Sequence, residues 1–251
     1  MPGSVRIGIG GWTFEPWRGV FYPAGLAHKR ELEIASRALT SIEINGTYYS
    51  TFKLDSWRKW RDETPDCFVF AVKASRYCTN RKLLATAGEA VDRFLAQGLT
   101  ALGPKLGPIN WQFMASKKFE PTDFTAFLAL LPKERDGIPL RHAVEVRHPS
   151  FATAAFYDLA RQHGVAIVYA KEEEFPEIDE PTADFKYVRL MTSREDEPLG
   201  ITAKELGALA GQIKSWSRLG DVFAYFISGA KVRNPAAAQA LILKINGKKA
   251  G

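Results

Sequence analysis

Eight short apolar runs, separated by stretches with helical spacing, constrain this chain more than any other feature. They are VRIGIGG (5–11), SIEIN (41–45), FVFAVKA (68–74), LGPINWQF (106–113), HAVEVRH (142–148), VAIVYA (165–170), FKYVRL (185–190) and VFAYFIS (222–228). Each is rich in β-branched or aromatic side chains, so each reads as a buried strand. Helical patterns fall between most of them, at 29–39, at 55–63 behind a cap at Asp55, and at 83–97. A further helix enters at Pro121 with an Asp123 start, and another runs through Phe156, Leu159 and Ala160 to a stop at Gly164. The Thr202-x-x-Glu205 capping box opens a helix over 202–218, and a last one spans 236–245. The sixth connection, EEEFPEIDEPTAD, is acidic and broken by proline, so little helix is expected there.

Strands alternating with about seven helices argue for parallel βαβ units. Eight strands are the number that closes a (β/α)8 barrel, and 251 residues fit one such domain. The expected fold is therefore α/β, a single TIM-type barrel over 1–251. An open doubly wound sheet is the alternative. The first turn weakens it: Gly8-x-Gly10-Gly11-Trp12 has Thr13 where a dinucleotide fingerprint needs its third glycine, and Trp12 would obstruct a pyrophosphate.

Composition excludes other classes. With 46% hydrophobic and 25% charged residues the chain is not a disordered one. No apolar run is long enough to span a membrane, and the first residues carry no signal-peptide pattern. Cys67 and Cys78 form neither a metal cluster nor a CxxC motif, which suits a reducing, cytoplasmic setting. The sequon at Asn45 ends an apolar strand and is discounted. The net charge is +6, and Lys244, Lys248 and Lys249 supply half of that excess in a basic tail (about 244–251). The charge thus reads either as a solvated tail or as attraction to a polyanion.

Strand alternation sorts the polar residues. If Ile42, Ile44, Val144, Val146, Val188 and Leu190 face the helices, then Glu43, Asn45, Glu145, Arg147, Tyr187 and Arg189 face the barrel interior. Lys73 and Gln112 stand at or near the ends of their strands. Most of this set falls at the C-terminal end of the barrel, where barrel active sites lie. Buried carboxylates need partners. Glu43 and Glu145 meet three cations, Lys73, Arg147 and Arg189, so one positive charge is spare for an anionic ligand. A self-satisfied ion network that only plugs the barrel is the alternative. His148 is a candidate acid or base, or a structural cap. His28, His142 and His163 are expected in loops or helices without a role. Trp57, Trp60 and Trp111 read as packing.

Several segments resemble the YecE-like family, domain of unknown function 72. They are IGIGGWTFEPWRGVFYP (7–23), SIEINGTYYSTF (41–52), RDETP (61–65), FVFAVKASRYCTN (68–80), AVEVRHPSF (143–151), YVRL (187–190) and YFISGAKVRNPAAAQAL (225–241). The resemblance implies a TIM-type barrel but no established activity. That barrel is similar in shape to endonuclease IV, which implies a nucleic-acid or phosphodiester ligand. The family's polar strand-end positions fall on Glu43, Asn45, Tyr49, Lys73, Glu145, Arg147 and His148, and its first loop on Trp12, Trp17, Tyr22 and Pro23. The chain departs from the family pattern at Asn80, at Met191-Thr192, at Ile227-Ser228 and in Gln112-Phe113-Met114-Ala115. All four departures lie at loops of the pocket rim, which leaves open whether the family's activity is kept.

Three functions are weighed. The first is a barrel binding nucleic acid or a phosphate ester, with Trp12, Trp17 and Tyr22 as stacking rings, Asn45, Tyr49, Lys73, Gln112, Arg147 and Arg189 as ligand contacts, and Glu145, His148 or Glu43 for any proton transfer. The second is an enzyme on a sugar, sugar phosphate or carboxylic acid, with Glu43 and Glu145 as an acid/base pair. The third is a non-catalytic scaffold or sensor. Too few ligands cluster for a multi-metal site, so no metal and no cofactor is expected. The oligomeric state has no sequence signal.

Overall fold

The computed structural model describes residues 2–247. Parallel strands form a barrel wrapped by helices, as the alternating pattern predicts. The strands are β1 (Val5–Gly10), β2 (Ser41–Ile44), β3 (Val69–Lys73), β4 (Leu106–Gln112), β5 (His142–Glu145), β6 in two pieces (Ala166–Ile167 and Tyr169–Lys171), β7 (Phe185–Leu190) and β8 (Asp221–Phe226). Neighbours pair in chain order, and β1 pairs with β8. A small antiparallel hairpin, Glu134–Arg135 with Ile138–Pro139, stands apart.

The sixth strand differs from expectation. Its first piece pairs with β5 and its second with β7. Between them the Val168 amide still bonds the Val144 carbonyl at 3.0 Å. The cylinder therefore closes through a strand that changes partner part-way along its length.

The helices are α1 (Glu31–Ala38), α2 (Leu54–Glu63), α3 (Arg76–Thr79), α4 (Gly88–Leu95), α5 (Pro121–Ala129), α6 (Ala154–His163), α7 (Ala203–Trp216) and α8 (Asn234–Ile245). The Thr202–Glu205 capping box forms, and Gly164 ends α6 in the left-handed region at φ 65°. Two start signals move. Lys53, not Asp55, stands at the N-cap position of α2, with no side-chain cap bond, and Glu120 caps α5 by accepting from the amides of Thr122 and Asp123. The short α3 has no counterpart among the helical patterns of the sequence. Residues 172–184 form no helix, as the proline-broken acidic run predicts. Lys244 lies in the last turn of α8. Lys248 and Lys249 lie outside the described residues.

Strand parity holds except at the start of β4, where the register against β3 shifts. Ile7, Ile9, Ile42, Ile44, Val144, Val188 and Leu190 pack outward into one apolar layer with helix residues such as Leu32, Trp57, Phe127 and Leu241. Trp60 and Trp111 join that layer, as expected of packing residues. A second apolar cluster fills the interior, where Phe185, Tyr187, Phe223 and Tyr225 from β7 and β8 meet Ala71, Ala143 and Ala166 across the barrel. Large rings on one wall against small side chains on the other fill a narrow barrel. Gly8 belongs to this economy of space, because a Cβ there would lie 1.7 Å from the Ser41 carbonyl oxygen.

Candidate ligand site at the barrel mouth

The inward polar residues meet at the C-terminal end of the strands. Arg189, near the end of β7, is the hub. Its Nη2 donates to Glu43 Oε1 at 3.0 Å and its Nη1 to Glu145 Oε2 at 2.5 Å. Arg147 closes on Glu145 Oε1 through Nε at 2.8 Å and Nη2 at 2.6 Å. Gln112 Oε1 accepts from Arg147 at 2.9 Å and from Arg189 at 3.3 Å. The Tyr187 hydroxyl donates to Glu43 Oε2 at 2.6 Å, and Asn110 Nδ2 donates to Glu145 Oε2 at 3.2 Å. Glu43 and Glu145 are both fully buried.

The electrostatics follow from this geometry. Burial alone would raise the Glu145 carboxyl, but Arg189, then Arg147 and Lys73, overcome it and hold it at about 2. Burial also works against the Arg189 charge, yet Glu145 and Glu43 outweigh it and keep the guanidinium protonated. Burial, then the Glu43 charge, pushes the Tyr187 phenol well above its ordinary range. Two carboxylates and two guanidiniums thus form a matched plug across the barrel.

Lys73 is the cation left over. It ends β3 beside the plug, but both carboxylates engage the two arginines instead. Its Nζ lies 4.3 Å from the centroid of the Tyr48 ring. Burial, then the charge of Arg189, lowers its pKa to about 8 against the opposing pull of Glu43 and Glu145. It is therefore still mostly an ammonium near pH 7.

Above Lys73 the rim carries rings and a further cation. Tyr48 and Tyr49 follow β2 in a short turn and pack edge to face at 4.9 Å. Arg76 lies over the Tyr49 ring at 5.8 Å and the Tyr77 ring at 5.4 Å. Tyr49 and Tyr77 are 65% and 63% exposed. On the opposite side the Arg147 guanidinium lies 4.5 Å over Phe175, from the helix-free connection.

Some expected contacts lie elsewhere. Trp17 and Tyr22 are 0% and 1% exposed, so they are core residues and offer no stacking face. Their polar groups are used internally: Trp17 Nε1 donates to the Lys231 carbonyl and the Tyr22 hydroxyl to the Trp12 carbonyl. His148 caps the turn Pro149–Phe151, with Nδ1 accepting from the Ser150 amide at 3.1 Å. His142 is a buried strand residue rather than a loop one, and Trp111 Nε1 donates to its Nδ1 at 3.1 Å. Burial pushes the Cys78 thiol up to about 12, while Cys67 is exposed.

The rim departures have structural roles. Asn80 Nδ2 donates to the Tyr48 hydroxyl at 3.3 Å. Met191 and Ile227 pack on the interior apolar cluster. Thr192 lines a separate cleft with Arg194 and Glu205. Among the described residues no three His, Cys, Asp or Glu side chains gather as a metal site would require. None of the described helices is long and apolar enough to cross a membrane.

Sequence reasoning missed Tyr48, Arg76, Tyr77, Phe175 and Lys231. Tyr48 and Tyr77 stand in the segments GTYYSTF and ASRYCTN, where the adjacent aromatic and basic residues are the available signal. Phe175 sits alone in an acidic run and gives none.

Known proteins bear on this arrangement. Residues 6–251 match the family described as Protein of unknown function DUF72. The chain belongs to that family. Among its curated relatives, UPF0759 protein YecE of Escherichia coli K12 is 29% identical over 150 residues, 59% of this chain and 50% of that protein. UPF0759 protein YunF of Bacillus subtilis 168 is 24% identical over 159 residues, 61% of this chain and 54% of that protein. The matches thus span about half the length of these curated relatives. A DUF72 family crystal structure from Thermotoga maritima superposes with a TM-score of 0.74 at 26% identity, covering 96% of this chain and 98% of that one. A xylose isomerase-like TIM barrel fused to 4-hydroxyphenylpyruvate dioxygenase superposes with a TM-score of 0.52 at 13% identity, over 99% of this chain and 45% of that one. The second likeness concerns the fold alone, and it agrees with a TIM-type barrel for this DUF72 chain.

Proposed function

We propose that the mouth of this DUF72 barrel binds a phosphate-bearing ligand, either a nucleic acid or a phosphate ester, with Lys73 as its central cation. The observation that carries this reading is the charge balance of the plug. Two carboxylates are matched by two guanidiniums, and Lys73 stands beside them without an acid partner among the described residues. A half-desolvated ammonium gains most from an anion that arrives with the ligand. The rim supports the same reading, because Tyr48, Tyr49 and Tyr77 interleaved with Arg76 form a surface on which bases stack beside a backbone phosphate.

In this reading Glu43 and Glu145 are anions that fix Arg189 and Arg147, and His148 positions the loop after β5. Arg147 and Gln112 border the ligand, and Arg189 lies beneath it. The ligand class and the unpaired thiols both suit the cytoplasm.

The test is fluorescence anisotropy with labelled single-stranded, duplex and abasic duplex oligonucleotides at about 50 and 200 mM salt. Wild type is expected to bind more weakly at the higher salt, and Lys73→Met more weakly at both. Stabilisation by phosphate esters in a thermal melt, lost in Lys73→Met, would identify the small-molecule arm instead. Oligonucleotide binding that Lys73→Met leaves unchanged moves the site away from the mouth. No response to either class sinks the reading.

A further inference from the structure

A pocket of about 370 Å³ opens next to the plug, where β1, β2 and β8 end. Its apolar walls include Trp12, Phe52, Trp60 and Ile227, and Thr13, Asn45 and Lys231 are its polar side chains. That size suits a nucleoside-sized ligand. Lys73 lies outside the pocket's lining, one strand over from Asn45. β2 and β3 pair with Ile44 opposite Val72, so the next inward positions on the two strands are Asn45 and Lys73.

Three features make it a built site. The Asn45 Oδ1 atom is buried and has no hydrogen-bond partner among the described residues. A buried acceptor without a partner is a cost that a bound donor removes once the carboxamide turns that oxygen toward the pocket. Gly10 keeps the space open, since a Cβ there would lie 2.5 Å from Asn45 Nδ2 and 3.1 Å from Ile227 Cδ1. Lys231 sits over the Phe14 ring at 4.4 Å and the Trp17 ring at 5.4 Å, which fixes a second ammonium at the pocket wall.

We propose that this pocket holds the planar ring of a nucleobase, with a ring-edge N–H donating to Asn45 Oδ1, while the attached phosphate lies on Lys73. The inference rests on the phosphate reading of the mouth and adds the second half of the ligand. Flat rings are what aromatic walls select, and a carboxamide matches the paired donor and acceptor of an adenine edge. A free nucleotide and a nucleotide within a strand share this chemistry.

Calorimetric titration of the full chain with adenosine 5′-monophosphate, adenosine, inorganic phosphate and a short single-stranded oligoadenylate tests it. The monophosphate is expected to bind about tenfold tighter than adenosine or phosphate. Asn45→Leu is expected to lower monophosphate affinity about tenfold while leaving phosphate affinity unchanged. Gly10→Ala, whose methyl would press on the Asn45 carboxamide and on Ile227 at the pocket wall, is expected to do the same, and thermal melts check that both variants fold. A tighter, equally Asn45-dependent complex with the oligoadenylate assigns the nucleotide to a strand. Equal affinity for phosphate and monophosphate, or an Asn45→Leu variant that binds like wild type, overturns the pocket assignment and leaves the phosphate site standing. A chain that binds none of the four probes overturns both.

Discussion

Arg189 holds Glu43 with one guanidinium nitrogen and Glu145 with the other, at 3.0 and 2.5 Å, and so ties β2 to β5 across the barrel through a residue of β7. All three side chains are buried. The link is both an ion network and a cross-brace.

Removing the hub and removing the spare cation should therefore differ sharply. Arg189→Met leaves two buried carboxylates short of a partner and is expected to cost about 3–5 kcal/mol in urea unfolding. Lys73→Met strands no carboxylate and relieves a desolvated charge, so its effect is expected within about 1 kcal/mol of zero, or stabilising. Equal losses in the two variants would contradict the matched plug.

Acid should act through Glu145. Its folded carboxyl lies at about 2, below the ordinary 4.5. The folded state therefore binds that proton less readily, and the stability it contributes is full above about 4.5 and is lost as the pH falls through about 2. The stability difference between wild type and Glu145→Gln, followed by urea titration down the pH scale, is expected to shrink across that window.

Alkali should act through Lys73. Its folded pKa of about 8 lies below the ordinary 10.5, so folding disfavours its ammonium, and that cost disappears as the pH rises from about 8 to 10.5. Lys73→Met is expected to abolish this slope. Phosphate affinity, which needs the ammonium, is expected to fall as the pH rises through about 8. Affinity flat across that range would show that another group holds the anion.

The glycine at the floor of the barrel offers a packing test. Gly8→Ala would force a methyl into the Ser41 carbonyl, where both partners are backbone. The variant is expected to lose about 2 kcal/mol or more in thermal or urea unfolding. A neutral result would mean that β1 and β2 lie further apart than described.

What was legible in the sequence depended on period. Alternation along SIEI, HAVE and FKYVRL was enough to bring Glu43, Glu145 and Arg189 to one interior, because a strand leaves each side chain only two directions. The spare cation followed from counting, though only the structure identifies it as Lys73. Loops have no such rule. Trp17 and Tyr22 read as stacking rings from composition, yet the chain folds back and buries them. Tyr48 and Phe175 reach the mouth through turns whose course no repeat announces. Val168 reads as an ordinary strand residue, because a change of partner leaves the alternation intact.

That change of partner gives the cylinder a seam. One half of β6 belongs to β5 and the other to β7, and the same strand leads directly into the segment that carries Phe175 onto Arg147. Elsewhere around the circumference each strand keeps the same two neighbours along its length, with one register shift between β3 and β4. A small slip along the seam would thus alter the wall of the barrel and the outline of its entrance in one movement, without disturbing the seven other strands.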